Sequence, residues 1–211
     1  MRRDYIPKSL IVNCSLKTKS EALVEAVGKF SECDVIQFSD IHEGYRVKEE
    51  IGAVVISGSG ARIVDPSDRH FFEGVANLIK TCDLPTLGIC FGHQLLCWAF
   101  GAKVGSLAQP VLDRFEAVRV VDVDGIFAGF RENQTVPLSE NHYDNVLKEN
   151  LREAGFVLLA DSASCEVEAV KHRSKPFYGV QFHPERVNVK GESHLEGHRV
   201  IGNFYRNVVK R

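Results

Sequence analysis

The feature of this sequence that most restricts its fold is the alternation of short apolar, β-branched runs with longer amphipathic runs. The short runs predict strands, and they are Ser9 to Cys14, Asp34 to Phe38, Ala53 to Ser57, Thr86 to Cys90 and Phe177 to Phe182. The longer runs between them have apolar residues at helical spacing. Because strand and helix alternate, we expect a parallel sheet covered by helices on both faces.

Four helices are predicted from start and stop signals. Thr18-Lys19-Ser20-Glu21 is a capping box, and the helix it opens would bury Leu23, Val24 and Val27. A second helix begins at the N-cap Asp65 and Pro66, with a core stripe of Phe71, Phe72, Val75, Leu78 and Ile79. A third runs from about Phe91 to Phe100 and stops at Gly101, and a closing helix runs from about His194 to Val209.

Between residues 115 and 172 the pattern changes to strand-like runs joined by polar turns. These runs are Ala117 to Val123, Phe156 to Ala160 and Val167 to Lys171, and they predict an antiparallel addition to the same sheet. No linker interrupts the chain. We therefore expect a single domain over residues 1–211, a three-layer α/β/α structure whose central sheet is largely parallel with an added antiparallel portion.

Charge and cysteine content exclude several classes of function. Lys and Arg total 26 against 28 Asp and Glu, a net charge of -2, so a polyanionic partner such as nucleic acid is not expected. No apolar run approaches the ~18 residues of a membrane span, and we expect a cytoplasmic protein. The six cysteines form no C-x-x-C pair, so neither disulfides nor a metal site is expected.

One cysteine lies where chemistry is expected. Gly88-Ile89-Cys90-Phe91-Gly92 puts Cys90 at a sharp turn from an apolar strand into a helix, with a glycine two residues away on each side. This is the pattern of a nucleophile elbow, in which the helix N-terminus stabilises a thiolate. The alternative is a buried core cysteine whose neighbouring glycines serve packing alone.

A base for that thiol is predicted far downstream, in Gly179-Val180-Gln181-Phe182-His183-Pro184-Glu185. Pro184 favours an extended His183 at a strand end, and Glu185 would then point to the same side. A carboxylate there can hold one ring nitrogen while the other faces the thiol. Otherwise His183 only ends a strand, and Glu185 pairs with Arg186 at the surface.

A glycine-rich strand end, Ile56-Ser57-Gly58-Ser59-Gly60, is the third candidate element. Its backbone N–H groups, with that of Phe91, can stabilise a developing oxyanion. Such a loop can equally bind phosphate or only turn the chain.

Taken together, the Gly88 to Gln94 and Gly179 to Glu185 segments resemble the signature of class I glutamine amidotransferases over nearly the whole chain. The resemblance implies a flavodoxin-like fold, a catalytic triad of Cys90, His183 and Glu185, and no cofactor. It further implies an oxyanion hole formed by Ser59 and Phe91. The glutamine pocket would be lined by Gly58, Gln94 and Asn141. Asn141 lies in Ser139-Glu140-Asn141-His142, which resembles a loop of the family that lines this pocket.

Within the family, the segment from Cys165 to Gly179 is most similar to the stand-alone glutaminase subunit of archaeal-type GMP synthase. This implies hydrolysis of L-glutamine to glutamate and ammonia, with the ammonia passed to a synthetase partner. The sequence departs from the family pattern at two places, which are Asn13-Cys14-Ser15 after the first strand and Ser59, where the family has glycine. These departures could weaken the oxyanion geometry or indicate a different acceptor enzyme.

The same residues are compatible with other functions. The same triad would serve a γ-glutamyl peptide or amide hydrolase, and the two departures favour a non-catalytic, partner-binding member of the fold. A cysteine α/β-hydrolase is disfavoured, because its acid precedes the histidine in the chain.

Overall fold

The computed structural model describes residues 8–16 and 20–209 of the chain. Nine strands form the main sheet, and they are β1 (Lys8–Asn13), β2 (Glu32–Gln37), β3 (Ile51–Ile56), β4 (Thr86–Ile89), β5 (Val104–Val120), β6 (Thr135–Val146), β7 (Phe156–Asp161), β8 (Ala169–His172) and β9 (Phe177–Val180). A small hairpin pairs β10 (Asn188–Val189) with β11 (Glu192–Ser193). The α-helices are α1 (Glu21–Gly28), α2 (Pro66–His70), α3 (Glu73–Thr81), α4 (Phe91–Ala99) and α5 (Glu196–Asn203).

The order of strands in the main sheet is β2-β1-β3-β4-β9-β8-β7-β5-β6. The first five in this order pair in parallel, and the pairings among β9, β8, β7, β5 and β6 are antiparallel. The predicted fold, a largely parallel sheet with an antiparallel addition, is therefore confirmed. The carboxyl ends of β3, β4 and β9 meet at one edge, where Ile56 pairs with Gly88 and Ile89 with Val180.

Apolar side chains are buried on both faces of the sheet. On one face Val27 of α1 and Val200 of α5 are fully buried in the same cluster. On the other, Val75 of α3 and Leu96 of α4 are fully buried in a second cluster. Helices on both faces complete the expected three layers and hold the strand ends in fixed positions.

The helix predicted after Asp65 is in fact two helices, and this part of the prediction is wrong. Asp65 caps α2 as expected, accepting a hydrogen bond from the N–H of Ser67 at 2.9 Å, but the chain turns at Phe71 and Phe72 before α3. Phe72 is completely buried, while Phe71 is 64% exposed and outside the core. The turn brings the backbone at Gly74 against Ile41, whose carbonyl would lie 1.8 Å from an added Cβ.

The antiparallel portion is larger than predicted. β5 begins well before Ala117, and Asn141 lies in the middle of strand β6 instead of in a loop. The alternation rule misses β6 because its buried positions carry polar residues, namely Ser139, Glu140, His142, Asp144 and Asn145. Because these buried side chains are polar, apolar periodicity cannot reveal the strand.

The remaining helix ends differ slightly from the predictions. Thr18 and Lys19 of the predicted capping box lie outside the described residues, and the Ser20 hydroxyl donates to Asn13 Oδ1 at 2.7 Å instead of capping α1. The closing helix begins at Glu196 and widens into a π-helical turn over Phe204–Val209. None of the helices within the described residues combines the length and apolar character needed to cross a membrane.

Candidate active site

Cys90 occupies a strained turn between β4 and α4. Its φ of 52° lies in the left-handed region, which costs a non-glycine residue about 1–3 kcal/mol. A Cβ on Gly88 would lie 2.5 Å from the carbonyl oxygen of Gly92, and one on Gly92 would lie 2.3 Å from that of Ile56. Both glycines are therefore required by close backbone contacts, as expected for a nucleophile elbow.

The other cysteines have a different environment. Burial raises the pKa of the thiol in each of these five residues, which are Cys14, Cys33, Cys82, Cys97 and Cys165. All six cysteines are free thiols. Cys90 differs from them because it follows a central strand, at the N-terminus of α4, and lies at the carboxyl edge of the sheet beside Phe91 and Gln94.

His183 and Glu185 lie beside Cys90 because β9 pairs with β4. His183 Nδ1 donates a hydrogen bond to Glu185 Oε1 at 2.8 Å, so Nε2 is the nitrogen free to exchange a proton. Burial opposes the charged imidazolium, but the negative charges of Glu185 and of an ionised Cys90 outweigh it and raise the pKa of His183 to about 10. The carboxylate of Glu185 therefore both orients the imidazole and favours its charged form.

The glycine loop after β3 packs directly on this pair. A Cβ on Gly58 would lie 3.0 Å from His183 Cε1 and 3.7 Å from Cys90 Cβ. The next residue, Ser59, has no left-handed φ, so its Cβ introduces no backbone strain there, and its hydroxyl accepts from the N–H of Ala61 at 3.1 Å. The serine side chain thus folds back on its own loop.

A pocket of about 280 Å³ opens on the thiol. Its walls come from the glycine loop, from the start of α4 and from β6, and its lining residues are Ser59, Gly60, Ala61, Arg62, Cys90, Phe91, Gln94, Asn141, His142, Tyr143 and Asp144. Most of the sequence-predicted site residues therefore meet in one cavity. Gly58, His183 and Glu185 line the adjoining cleft of about 450 Å³.

Two of the predicted pocket residues have contacts that the sequence could not specify. Asn141 presents its backbone carbonyl to Cys90 Sγ at 3.8 Å. Gln94 is buried, and its amide nitrogen donates to the Asp144 carbonyl at 2.8 Å and to Gln181 Oε1 at 3.1 Å. Both amide hydrogens of Gln94 are thus used within the protein.

Sequence reasoning missed an ion pair in the pocket wall. The Arg62 guanidinium binds both carboxylate oxygens of Asp144, 82 residues away in the chain, and donates to Ser106 Oγ at 2.9 Å. Asp144 is buried and Arg62 is partly exposed. No local pattern connects these residues, so only the folding of β6 over the glycine loop brings them together.

Within residues 8–16 and 20–209, no cluster of three or more His, Cys, Asp or Glu side chains has the arrangement of a metal site. The groups that meet at the site are the Cys90 thiol, an imidazole oriented by a carboxylate, and a polar pocket beside them. This set of groups is suited to acyl transfer through a thioester.

The family model for class-I glutamine amidotransferases matches residues 11–206, and the chain belongs to this family. Among curated proteins it is similar to a subunit of the glutamine-hydrolyzing GMP synthase of Methanothermobacter thermautotrophicus, with 42% identity over 127 residues, 60% of this chain. The subunit of the same name from Methanopyrus kandleri is 40% identical over 139 residues, 66% of this chain and 69% of that protein. The match covers 62% of the Methanothermobacter protein, less than two thirds of its length.

Solved structures share the fold. A protein from Thermoplasma acidophilum, provisionally assigned as a GMP synthase subunit, superposes with a TM-score of 0.80 at 24% identity, covering 97% of this chain and 95% of that chain. A glutamine amidotransferase from Methylobacillus flagellatus superposes with a TM-score of 0.70 at 14% identity, covering 96% of each chain. At these identities the likeness concerns the fold alone.

Proposed function

We propose that this chain is the glutaminase subunit of a GMP synthase, which hydrolyses L-glutamine and passes the ammonia to a synthetase partner. The observation that carries the proposal is the convergence of Cys90, His183 and Glu185 beside a pocket, in a chain of the class I family. The names of the two curated relatives support GMP synthase as the acceptor enzyme.

In the proposed reaction the Cys90 thiolate attacks the side-chain carbonyl carbon of glutamine. The N–H groups of Phe91 and Ser59 stabilise the oxyanion. His183 then protonates the leaving nitrogen, the C–N bond breaks and ammonia departs from a thioester. A water molecule that gives its proton to His183 attacks the thioester, which releases glutamate and the free thiol.

Glu185 keeps the imidazole of His183 in the required tautomer through the 2.8 Å hydrogen bond. Gly58 lets His183 approach the thiol, because a side chain at this position would press on the ring. We assign Gln94 and Asn141 to the amino-acid end of glutamine. Since Gln94 donates both amide hydrogens to the protein, we expect its Oε1 to face the substrate.

The pocket lining fits a zwitterionic amino acid. Arg62 offers a guanidinium to the α-carboxylate, and Asp144 offers a carboxylate to the α-ammonium group. In the structure these two side chains form an ion pair with each other. Glutamine would exchange this ion pair for two ion pairs of its own.

Purified protein is expected to release ammonia from glutamine, and Cys90→Ala should abolish this release. The matched control is Cys33→Ala, which removes a half-buried thiol outside the pocket and should leave the rate unchanged. Full activity in Cys90→Ala would overturn the proposal. A clear preference for a γ-glutamyl dipeptide over glutamine would replace it with γ-glutamyl hydrolysis.

The synthetase partner requires a separate measurement. The chain is mixed with the synthetase subunit of a two-subunit GMP synthase, and GMP formation is followed with glutamine or with ammonium as the nitrogen source. We expect glutamine to support GMP formation only when this chain is present with Cys90 intact. If only ammonium supports synthesis while the chain still hydrolyses glutamine, the acceptor is a different enzyme.

A further inference from the structure

A buried glutamine contacts the reactive sulfur. Gln181 is completely buried, and its amide Nε2 lies 3.6 Å from Cys90 Sγ, within hydrogen-bonding distance for a sulfur acceptor. It follows β9 directly, in a bend of the chain two residues before His183. The reaction described above assigns no role to this amide.

The orientation of the Gln181 amide is fixed by its neighbours. The backbone carbonyl of Asp144 can only accept a hydrogen bond, so the amide group 2.8 Å from it must be the NH₂ of Gln94. The same NH₂ lies 3.1 Å from the Gln181 amide, which must therefore present its oxygen, Oε1, to Gln94. The NH₂ of Gln181 is left to face the sulfur of Cys90.

This geometry distinguishes the two protonation states of Cys90. A neutral thiol can donate its proton to the Asn141 carbonyl, 3.8 Å from Sγ. A thiolate has no proton to donate and is a much stronger acceptor, so the N–H of Gln181 interacts chiefly with the ionised form. A hydrogen bond to a charged group inside a protein contributes more than one between neutral groups.

We propose that Gln181 is a catalytic residue that stabilises the Cys90 thiolate by hydrogen bonding to Sγ, and that Gln94 is a positioning residue that holds the Gln181 amide in this orientation. The catalytic role rests on the proposed glutaminase function, whereas the effect on the thiolate can be measured without glutamine. Gln94 thereby acquires a second task in addition to its proposed contact with substrate.

Other ionisable groups also act on the sulfur. His183, after β9, favours the thiolate through its imidazolium. Glu140, on β6, also lies near the sulfur, but burial raises its pKa well above the ordinary value, so it acts chiefly as a neutral carboxyl. Neither group donates a hydrogen bond through an amide. A variant of Gln181 that leaves both in place therefore isolates the contribution of the amide.

The test measures the rate at which uncharged iodoacetamide alkylates Cys90 across pH, with peptide mapping to separate Cys90 from the other cysteines. In Gln181→Met, which keeps the side-chain length and removes the donor, we expect the pH profile to move upward by about one unit. On its rising limb alkylation should then be about tenfold slower. Gln94→Leu should move the profile in the same direction by a smaller amount.

The matched control is Asn203→Leu. It removes another buried amide, which donates to the carbonyls of Ile126 and Ala128 away from the pocket. We expect a loss of stability with an unchanged alkylation profile.

An unchanged profile in folded Gln181→Met would overturn the inference. If that variant does not fold, Gln181→Glu carries the test, because it has nearly the same shape and replaces the donor with an acceptor. It should move the profile upward at least as far, and an unmoved profile overturns the inference equally. If the profile moves but the wild-type protein releases no ammonia from glutamine, the hydrogen bond stands and the proposed glutaminase function fails.

Discussion

The buried carboxyl pair Glu140 and Glu168 predicts an unusual dependence of stability on pH. Neither residue is exposed to solvent. Burial raises the pKa of Glu168 to about 7 from the ordinary 4.5. Burial and the nearby Glu168 raise the pKa of Glu140 well above its ordinary value. A protonated Glu140 can donate a hydrogen bond to an ionised Glu168, which also accepts from Ser162 Oγ at 2.7 Å.

The sign and size of the effect follow from these values. Between pH 4.5 and about 7 the folded protein keeps a proton on Glu168 that the unfolded chain has lost. The free energy of unfolding therefore falls as pH rises through this window, and the full cost is present above it. At 1.36 kcal/mol per pKa unit, the contribution of Glu168 amounts to about 3 kcal/mol.

The assay is urea unfolding of wild type and of Glu168→Gln at half-unit steps from pH 5 to pH 8. The amide keeps the oxygen that accepts from Ser162 and does not titrate. We expect the wild type to lose up to about 3 kcal/mol relative to this variant across the range. Glu166→Gln, at an exposed position two residues earlier, should follow the wild-type curve. Parallel curves for wild type and Glu168→Gln would refute the reasoning.

Two further predictions concern the catalytic geometry. Glu185→Gln removes the carboxylate that orients His183 and should lower kcat/KM for glutamine by roughly 10²–10⁴-fold. The measurement is the initial rate of ammonia release, and a loss smaller than tenfold would contradict the orienting role. Gly92→Ala puts a Cβ 2.3 Å from the carbonyl of Ile56 and should destabilise the protein by about 1–3 kcal/mol. Gly28→Ala, with nothing within 4 Å of the added Cβ, should not lower the Tm, and equal Tm values for the two variants would contradict the packing argument.

The parallel half of the fold could be predicted because its information is local. Strands such as Ile51–Ile56 are uniformly apolar since helices cover both faces, and the glycines around Cys90 reveal the turn that follows a strand. The antiparallel half could not be predicted equally well. β6 buries Glu140, His142 and Asp144 in place of apolar side chains, so its pattern resembles that of a loop.

The break between α2 and α3 has a similar cause. The sequence from Pro66 to Thr81 has a continuous helical stripe, and nothing in it requires an interruption. In the structure, Phe72 packs between Phe38 and Phe91, with ring centroids 4.4 and 4.5 Å away. Those rings come from distant parts of the chain, and their positions decide where the helix bends.

The amino-acid sequence by itself predicted the candidate nucleophile, its candidate base and the acid beside that base. The glycines around Cys90 are a local signal of the turn that follows a strand. The extended geometry expected for His183 and Glu185 is not the one observed, since the chain bends after β9 and turns at His183, whose carbonyl accepts from the N–H of Arg186 at 3.1 Å. Only the tertiary structure decided what surrounds the sulfur. Pairing between distant strands brings together the amides of Gln181 and Gln94, which are 87 residues apart. The same pairing forms the Arg62–Asp144 ion pair and the buried carboxyl pair. No short stretch of sequence encodes those contacts.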